Sequence, residues 1–195
     1  LIARMKTGKT THSYGPAIYH PGGEFHQDDW IFVEFEAGKV IGKPSERQFY
    51  MRTNSIENFP WLEPVFRTHK LENVKPDDPR EKFLPPDPRV MIDPREILSP
   101  EKVVNEIRIS KCFLLERNPN ENVVARSLDP NEAVEILENA PEQFYNNYLT
   151  IYTERKIRKR ADLFRKLFEI AEPYLINIVA DVVTVRNIIT RITKS

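Results

Sequence analysis

The chain has 195 residues, 40% of them hydrophobic and 30% charged, with 29 Lys+Arg balanced by 29 Asp+Glu. This is an ordinary globular composition that carries no global field toward nucleic acid or a membrane surface. One cysteine, Cys112, excludes an internal disulfide, and no run approaches the roughly 18 apolar residues a membrane span needs, so the expected compartment is the cytoplasm.

Leu1-Ile2-Ala3 reads as a short strand, and the segment from Ala3 to Thr11 follows the pattern of a phosphate-binding loop, with Ala3 at its first position and Gly8-Lys9-Thr10 at its end. A polyphosphate needs several converging donors, and backbone N–H groups at a helix start supply them without side-chain bulk. Lys6, Thr7, Gly8, Lys9, Thr10 and Thr11 are the expected nucleotide-binding residues. Lys9 would place a charge on the outer phosphates, and Thr10 would offer a hydroxyl to the metal. Because the chain opens at Leu1 inside this strand, it reads as the remainder of a longer sheet with its upstream strands missing.

Strand signals continue at Ala17–Tyr19, Trp30–Phe35, Lys39–Ile41 and Phe49–Arg52, and Glu36-Ala-Gly-Lys39 reads as a hairpin turn. Asp28 and Asp29 head the second of these runs, where a carboxylate pair suits a hard cation bridging phosphate oxygens or a proton acceptor. His26, two positions earlier, could join Asp28 as a metal ligand or be a hydrogen-bonded surface histidine. Arg47 and Arg52 suit a phosphate or carboxylate on a substrate, or pair with Glu46 or Glu57. Trp30, Phe49, Tyr50 and Trp61 are expected in the core.

A proline-dense stretch over residues 75–98 should form a stiff connector, anchored by Phe83, Leu84, Val90, Met91 and Ile92. Beyond it, Arg108–Leu115 and Val123–Arg126 read as two strands across the turn Asn118–Asn122. Cys112 lies in the first of them as a buried inert thiol. Asp129-Pro-Asn-Glu132 carries an N-cap acid followed by proline and should start a helix; Asp93-Pro-Arg-Glu96 and Ser99-Pro100-Glu101 share that grammar. Helical spacing runs from Pro141 to Ala171, Tyr174–Ile178 reads as a strand, and Val183–Thr193 as a last helix. The basic run Arg155–Arg160, set among Glu154, Asp162 and Glu169, reads as a solvated helical face rather than a nucleic-acid patch. The resulting division is a nucleotide-binding core over 1–74, a connector over 75–98, and a strand pair with helices over 99–195 packed on the same domain.

The order of loop, Asp28-Asp29-Trp30, glycine hairpin, Pro44-Ser-Glu-Arg-Gln-Phe-Tyr50 and Thr53-Asn54 resembles the nucleotide domain of phosphoenolpyruvate carboxykinases, above all the GTP-using branch. HPr kinases share that subfamily of phosphate-binding loops. The resemblance covers roughly the first 66 residues. It implies an α/β fold with a mixed sheet around a P-loop nucleotide domain, extended by a helical C-terminal part. It also implies Lys9 on the phosphates, Thr10 on nucleotide-bound magnesium, and Asp28 and Asp29 on metal, Asp29 nearer a transition metal. The cofactors it implies are ATP or GTP with Mg²⁺, Mn²⁺ being the second candidate. The expected activity is phosphoryl transfer to a small-molecule or protein acceptor. The competing expectations are a nucleotide-binding regulatory module without chemistry, and a structural protein whose helical tail docks a partner.

Overall fold

The apolar runs Cys112–Leu115 and Tyr174–Ile178 become neighbouring strands at the centre of a mixed α/β fold, because each is flanked by amphipathic helices that cover both its faces. The computed structural model describes residues 1–3, 8–28, 30–72, 88–139 and 153–194. Its main sheet has the order β1 (Ile2–Ala3), β7 (Lys111–Glu116), β9 (Glu172–Asn177), β8 (Ala125–Ser127). The first three are parallel, with Ala3 beside Leu115 and Leu115 beside Ile176, and β8 runs antiparallel to β9.

The strand period of two divides the side chains cleanly. Phe113, Leu115, Ile176 and Ile178 pack on Val185 and Ile189 of α5 (Val182–Lys194). Cys112, Leu114 and Leu175 face the other way, onto α3 (Pro130–Glu138) and α4 (Glu154–Ile170). Burial pushes the Cys112 thiol up to about 11, which leaves it protonated and inert at neutral pH. α1 (Lys9–Tyr19) lies beside α5, with the Arg186 guanidinium 4.5 Å from the Tyr19 ring centre.

Two smaller sheets complete the framework. β2 (Ile31–Glu36), β3 (Lys39–Pro44) and β6 (Ile107–Ile109) form an antiparallel sheet. The β2–β3 turn places Ala37 and Gly38 at φ 44° and 76°, the paired left-handed conformation of a tight hairpin. β4 (Phe49–Arg52) pairs with β5 (Arg89–Ile92), whose Val90 and Ile92 are fully buried against Phe49, Met51 and Tyr14. Segments from the first part and the middle of the chain therefore share sheets, β1 with β7 and β3 with β6. Between the framework strands, α2 (Glu63–Thr68) buries Phe66 in the same cluster as Met51.

Several expectations differ from this arrangement. Ala17–Tyr19 is the last turn of α1, not a strand, because Tyr14 and Ala17 bury one helical face three positions apart. Residues 89–92 of the connector form β5. Arg108–Leu115 breaks at Ser110 into β6 and β7, which join different sheets. The strand at Ala125–Ser127 pairs with β9, so no hairpin spans Asn118–Asn122. Of the four aromatics expected in the core only Phe49 is buried; Trp30, Tyr50 and Trp61 are each at least 40% exposed.

The helix starts follow their caps. Asp129 accepts from the Asn131 amide ahead of α3, and Asp93 closes a reciprocal capping box with Glu96 over a 3₁₀ turn. Most of the basic run is solvated on α4, where Arg158 pairs with Glu154, but Arg160 turns inward to α3 and makes two part-buried bonds of 3.0 and 2.7 Å to Glu138. The apolar positions Phe144, Tyr148 and Ile151, and Phe83 and Leu84 of the connector, lie outside the described residues. Among the described residues no helix is long and apolar enough to cross a membrane.

Candidate functional site

The N-terminus of α1 sits where the parallel strands of the main sheet end. β1 leads toward it, Gly8 precedes it at φ +84°, and the His12 amide bonds the Gly8 carbonyl at 3.1 Å as the first helical turn closes. At that φ a side chain would strain the backbone, and a Cβ there would meet the His12 ring at 3.6 Å. α1 carries no acid in its first turn to neutralise its positive end. Lys9 and Thr10 are its first two residues, both partly buried.

Thr10 Oγ1 donates to Asp28 Oδ2 across 3.5 Å, tying the helix start to the segment that precedes β2. That segment is fixed from its other side. The Phe25 amide donates to Lys102 at 2.7 Å, the Val104 amide donates back to Phe25 at 2.9 Å, and the Phe25 ring stacks on Tyr14 of α1 at 4.9 Å. His26 is held by a 3.0 Å bond from Nδ1 to the Val104 carbonyl. A carbonyl only accepts, so Nδ1 carries a proton, and the tautomer this selects presents its lone pair at Nε2. Nε2 is buried and finds no hydrogen-bond partner among the described residues. His26 and Asp28 are not on a strand, since only Phe25 forms an isolated bridge, yet both line one cavity of about 410 Å³.

Arg47 and Arg95 line the same cavity. Both lean on Asp93: Arg95 Nη1 lies 3.3 Å from Oδ2, and Arg47 Nε 3.9 Å from the same oxygen. Arg47 thus joins the two acidic-side residues in one cavity. Arg52 does not: it ends β4 opposite Arg89 and does not line the cavity. Lys6, Thr7 and Asp29 lie outside the described residues. Among the described residues no group of three or more His, Cys, Asp or Glu is gathered to hold a metal by itself.

Two residues near the site were not singled out by sequence reasoning. Arg95 was read only as the interior of a capping motif. Arg117 follows β7 directly, exposed at the carboxyl edge of the sheet and close enough to His12 to act on its charge. The signal available for Arg117 was its place just past a fully apolar strand, where parallel sheets put their binding edge.

His12 is buried, with Nδ1 lacking a partner among the described residues, and its pKa is lowered first by burial and then by Arg117. A histidine lowered from 6.5 binds fewer protons folded than unfolded, so stability is present above that value and is lost as pH falls below it. His12→Gln should therefore flatten the fall in urea midpoint between about pH 7.5 and 5.5. An unchanged slope would show that His12 is not part of the acid response.

Comparison with protein-family models, with curated proteins and with solved structures finds no match to this chain. The functional reading therefore rests on the residues and their geometry.

Proposed function

We propose that the protein is a nucleotide- and divalent-metal-dependent phosphotransferase, with a P-loop nucleotide domain of the carboxykinase-like kind. The observation that carries this reading is the strand, left-handed Gly8, helix order, with the Thr10 hydroxyl at the helix start held 3.5 Å from the Asp28 carboxylate. Backbone amides at the start of α1 would receive the phosphates of ATP or GTP, and Lys9 would neutralise the outer ones.

The donors present fit a magnesium ion brought in with the nucleotide. Mg²⁺ takes oxygen ligands, keeps several waters and is usually held by one or two protein groups plus substrate phosphates, so a hydroxyl and a carboxylate suffice without a dedicated cage. Such an ion supplies charge neutralisation on the transferred phosphoryl group. Thr10 and Asp28 would hold it, with Asp29 the adjacent carboxylate in sequence and His26 a poorer donor for a hard cation. Arg47 belongs on the acceptor side of this reading, and Arg52 leaves it. The cytoplasm is the compartment we propose, consistent with the single buried thiol.

The test is nucleotide turnover by the purified protein with ATP or GTP and Mg²⁺ or Mn²⁺, beside Asp28→Asn. The expected result is metal-dependent release of nucleoside diphosphate that falls by about 100-fold in the variant, the scale of one lost electrostatic contact to the reacting group. Turnover indifferent to Asp28 and to chelation would sink the proposal. Saturable nucleotide binding with no turnover would select the regulatory module instead.

A further inference from the structure

We propose that the 410 Å³ cavity is the acceptor subsite of this phosphotransferase and takes a small hydroxylated anion, its charged group on Arg47 and Arg95 and a hydroxyl on His26 Nε2. This rests on the reading above and adds the substrate class to it. Three observations carry it.

The first is position. Asp28 is at once part of the cavity wall and the partner of Thr10, so the cavity opens beside the start of α1, where the phosphates would lie. The second is the pair of guanidinium groups in the lining. Arg47 and Arg95 share the single carboxylate of Asp93, and Glu46 lines the cavity with them. Each guanidinium has five N–H donors in a planar fork, and the contacts to Asp93 engage few of them, so a carboxylate or phosphate could be gripped from the cavity. The Arg47 side chain, 83% exposed, can swing onto a ligand without breaking a tight pair.

The third observation is the lone pair of His26. With Nδ1 committed to the Val104 carbonyl, Nε2 needs a donor, and it is buried without one among the described residues. A second carboxylate placed there would set lone pair against lone pair, whereas a hydroxyl satisfies it. Asp28 beside it repels an anionic group and favours a neutral, proton-bearing one. The cavity therefore offers both guanidinium donors and an accepting nitrogen, and its volume falls in the range that encloses a small molecule. A hydroxy acid or a phosphorylated hydroxy acid carries a group for each.

The full chain is titrated with D-glycerate, 3-phosphoglycerate and inorganic phosphate, glycerol serving as the uncharged control, with thermal midpoint and ¹⁵N-histidine spectra as readouts. The expected result is that at least one of these anions raises the midpoint saturably while glycerol does not. The hydroxylated anions should also move the Nε2 resonance of His26. The double variant R47Q/R95Q should weaken anion binding at least tenfold and keep the midpoint rise with MgATP, which also shows that it is folded. No anion effect above glycerol in wild type, equal binding by the double variant, or an Nε2 resonance unmoved by glycerate each overturns the proposal. Loss of the MgATP effect in wild type with anion binding intact would instead remove the phosphotransferase reading and leave an anion site.

Discussion

Lys9→Ala should remove about half or more of the nucleotide-dependent stabilisation while the protein stays folded. A ligand present at about 100 times its dissociation constant adds roughly 2.7 kcal/mol, and for a chain of this size each kcal/mol moves the thermal midpoint by about 2–4 °C. The wild-type protein with ATP or GTP and Mg²⁺ should therefore melt roughly 5–11 °C higher than without. Charge-assisted bonds from an ammonium to phosphate are worth about 1.5–3 kcal/mol, so losing them weakens binding by about one to two orders of magnitude and removes about half or more of that rise. Lys9 is partly buried at the start of α1, so the unliganded midpoint of the variant is the control that separates a loss of folding from a loss of binding. Differential scanning fluorimetry of the two proteins with and without nucleotide decides it. Equal shifts in both would place the nucleotide elsewhere, and no shift in either would remove the phosphate site.

That prediction was accessible from sequence because the signal at Gly8-Lys9-Thr10 is local. A left-handed glycine and a helix start are properties of a few consecutive residues, and the structure places φ +84° and the first turn of α1 there. The strands of the main sheet were legible for a similar reason, since Phe113–Leu115 and Leu175–Ile176 are buried on both faces and lie in unbroken apolar runs. Strand pairing was not legible. Nothing local says that β7 accepts β1 on one side and β9 on the other, or that β8 passes over β7, the strand before it, to lie on β9. The edges chosen depend on which helix covers which face, a long-range property.

The candidate site divides along the same line. Asp28 and His26 were chosen for their chemistry and their spacing, but the strand expected to align them is absent. What brings them together is the backbone clamp between Phe25 and Lys102–Val104, residues 77 or more positions apart. Arg47 and Arg95 meet through Asp93, which sequence reasoning treated only as a helix cap. The exposed aromatics err in the opposite direction: Trp30, Tyr50 and Trp61 are large enough to expect burial, and Tyr50 instead stacks under Arg89 at 4.0 Å on an outer strand face.

Asn177→Ala should be among the most destabilising single changes in the chain, although the residue carries no charge and touches no ligand in the proposed site. Its side chain is buried and every amide position is used. Nδ2 donates to the carbonyls of Asn118 at 2.8 Å and Glu121 at 2.9 Å, while Oδ1 accepts from the amides of Asn118 at 3.1 Å and Val179 at 3.3 Å. These bonds hold the loop after β7 against the loop after β9, at the carboxyl edge of the sheet where Arg117 stands. Removing the amide leaves two carbonyls and two N–H groups to find other partners in a partly buried setting, a loss of about 2–4 kcal/mol. Asn177→Asp should be no milder, because a carboxylate keeps the acceptors but sets negative charge against the Asn118 and Glu121 carbonyls. Urea denaturation followed by circular dichroism measures both, with the slope of the transition unchanged if only the native state is affected. A cost under about 1 kcal/mol for alanine, or a neutral aspartate variant, would mean that water or a shifted loop replaces the amide and that the edge is not pinned by this residue.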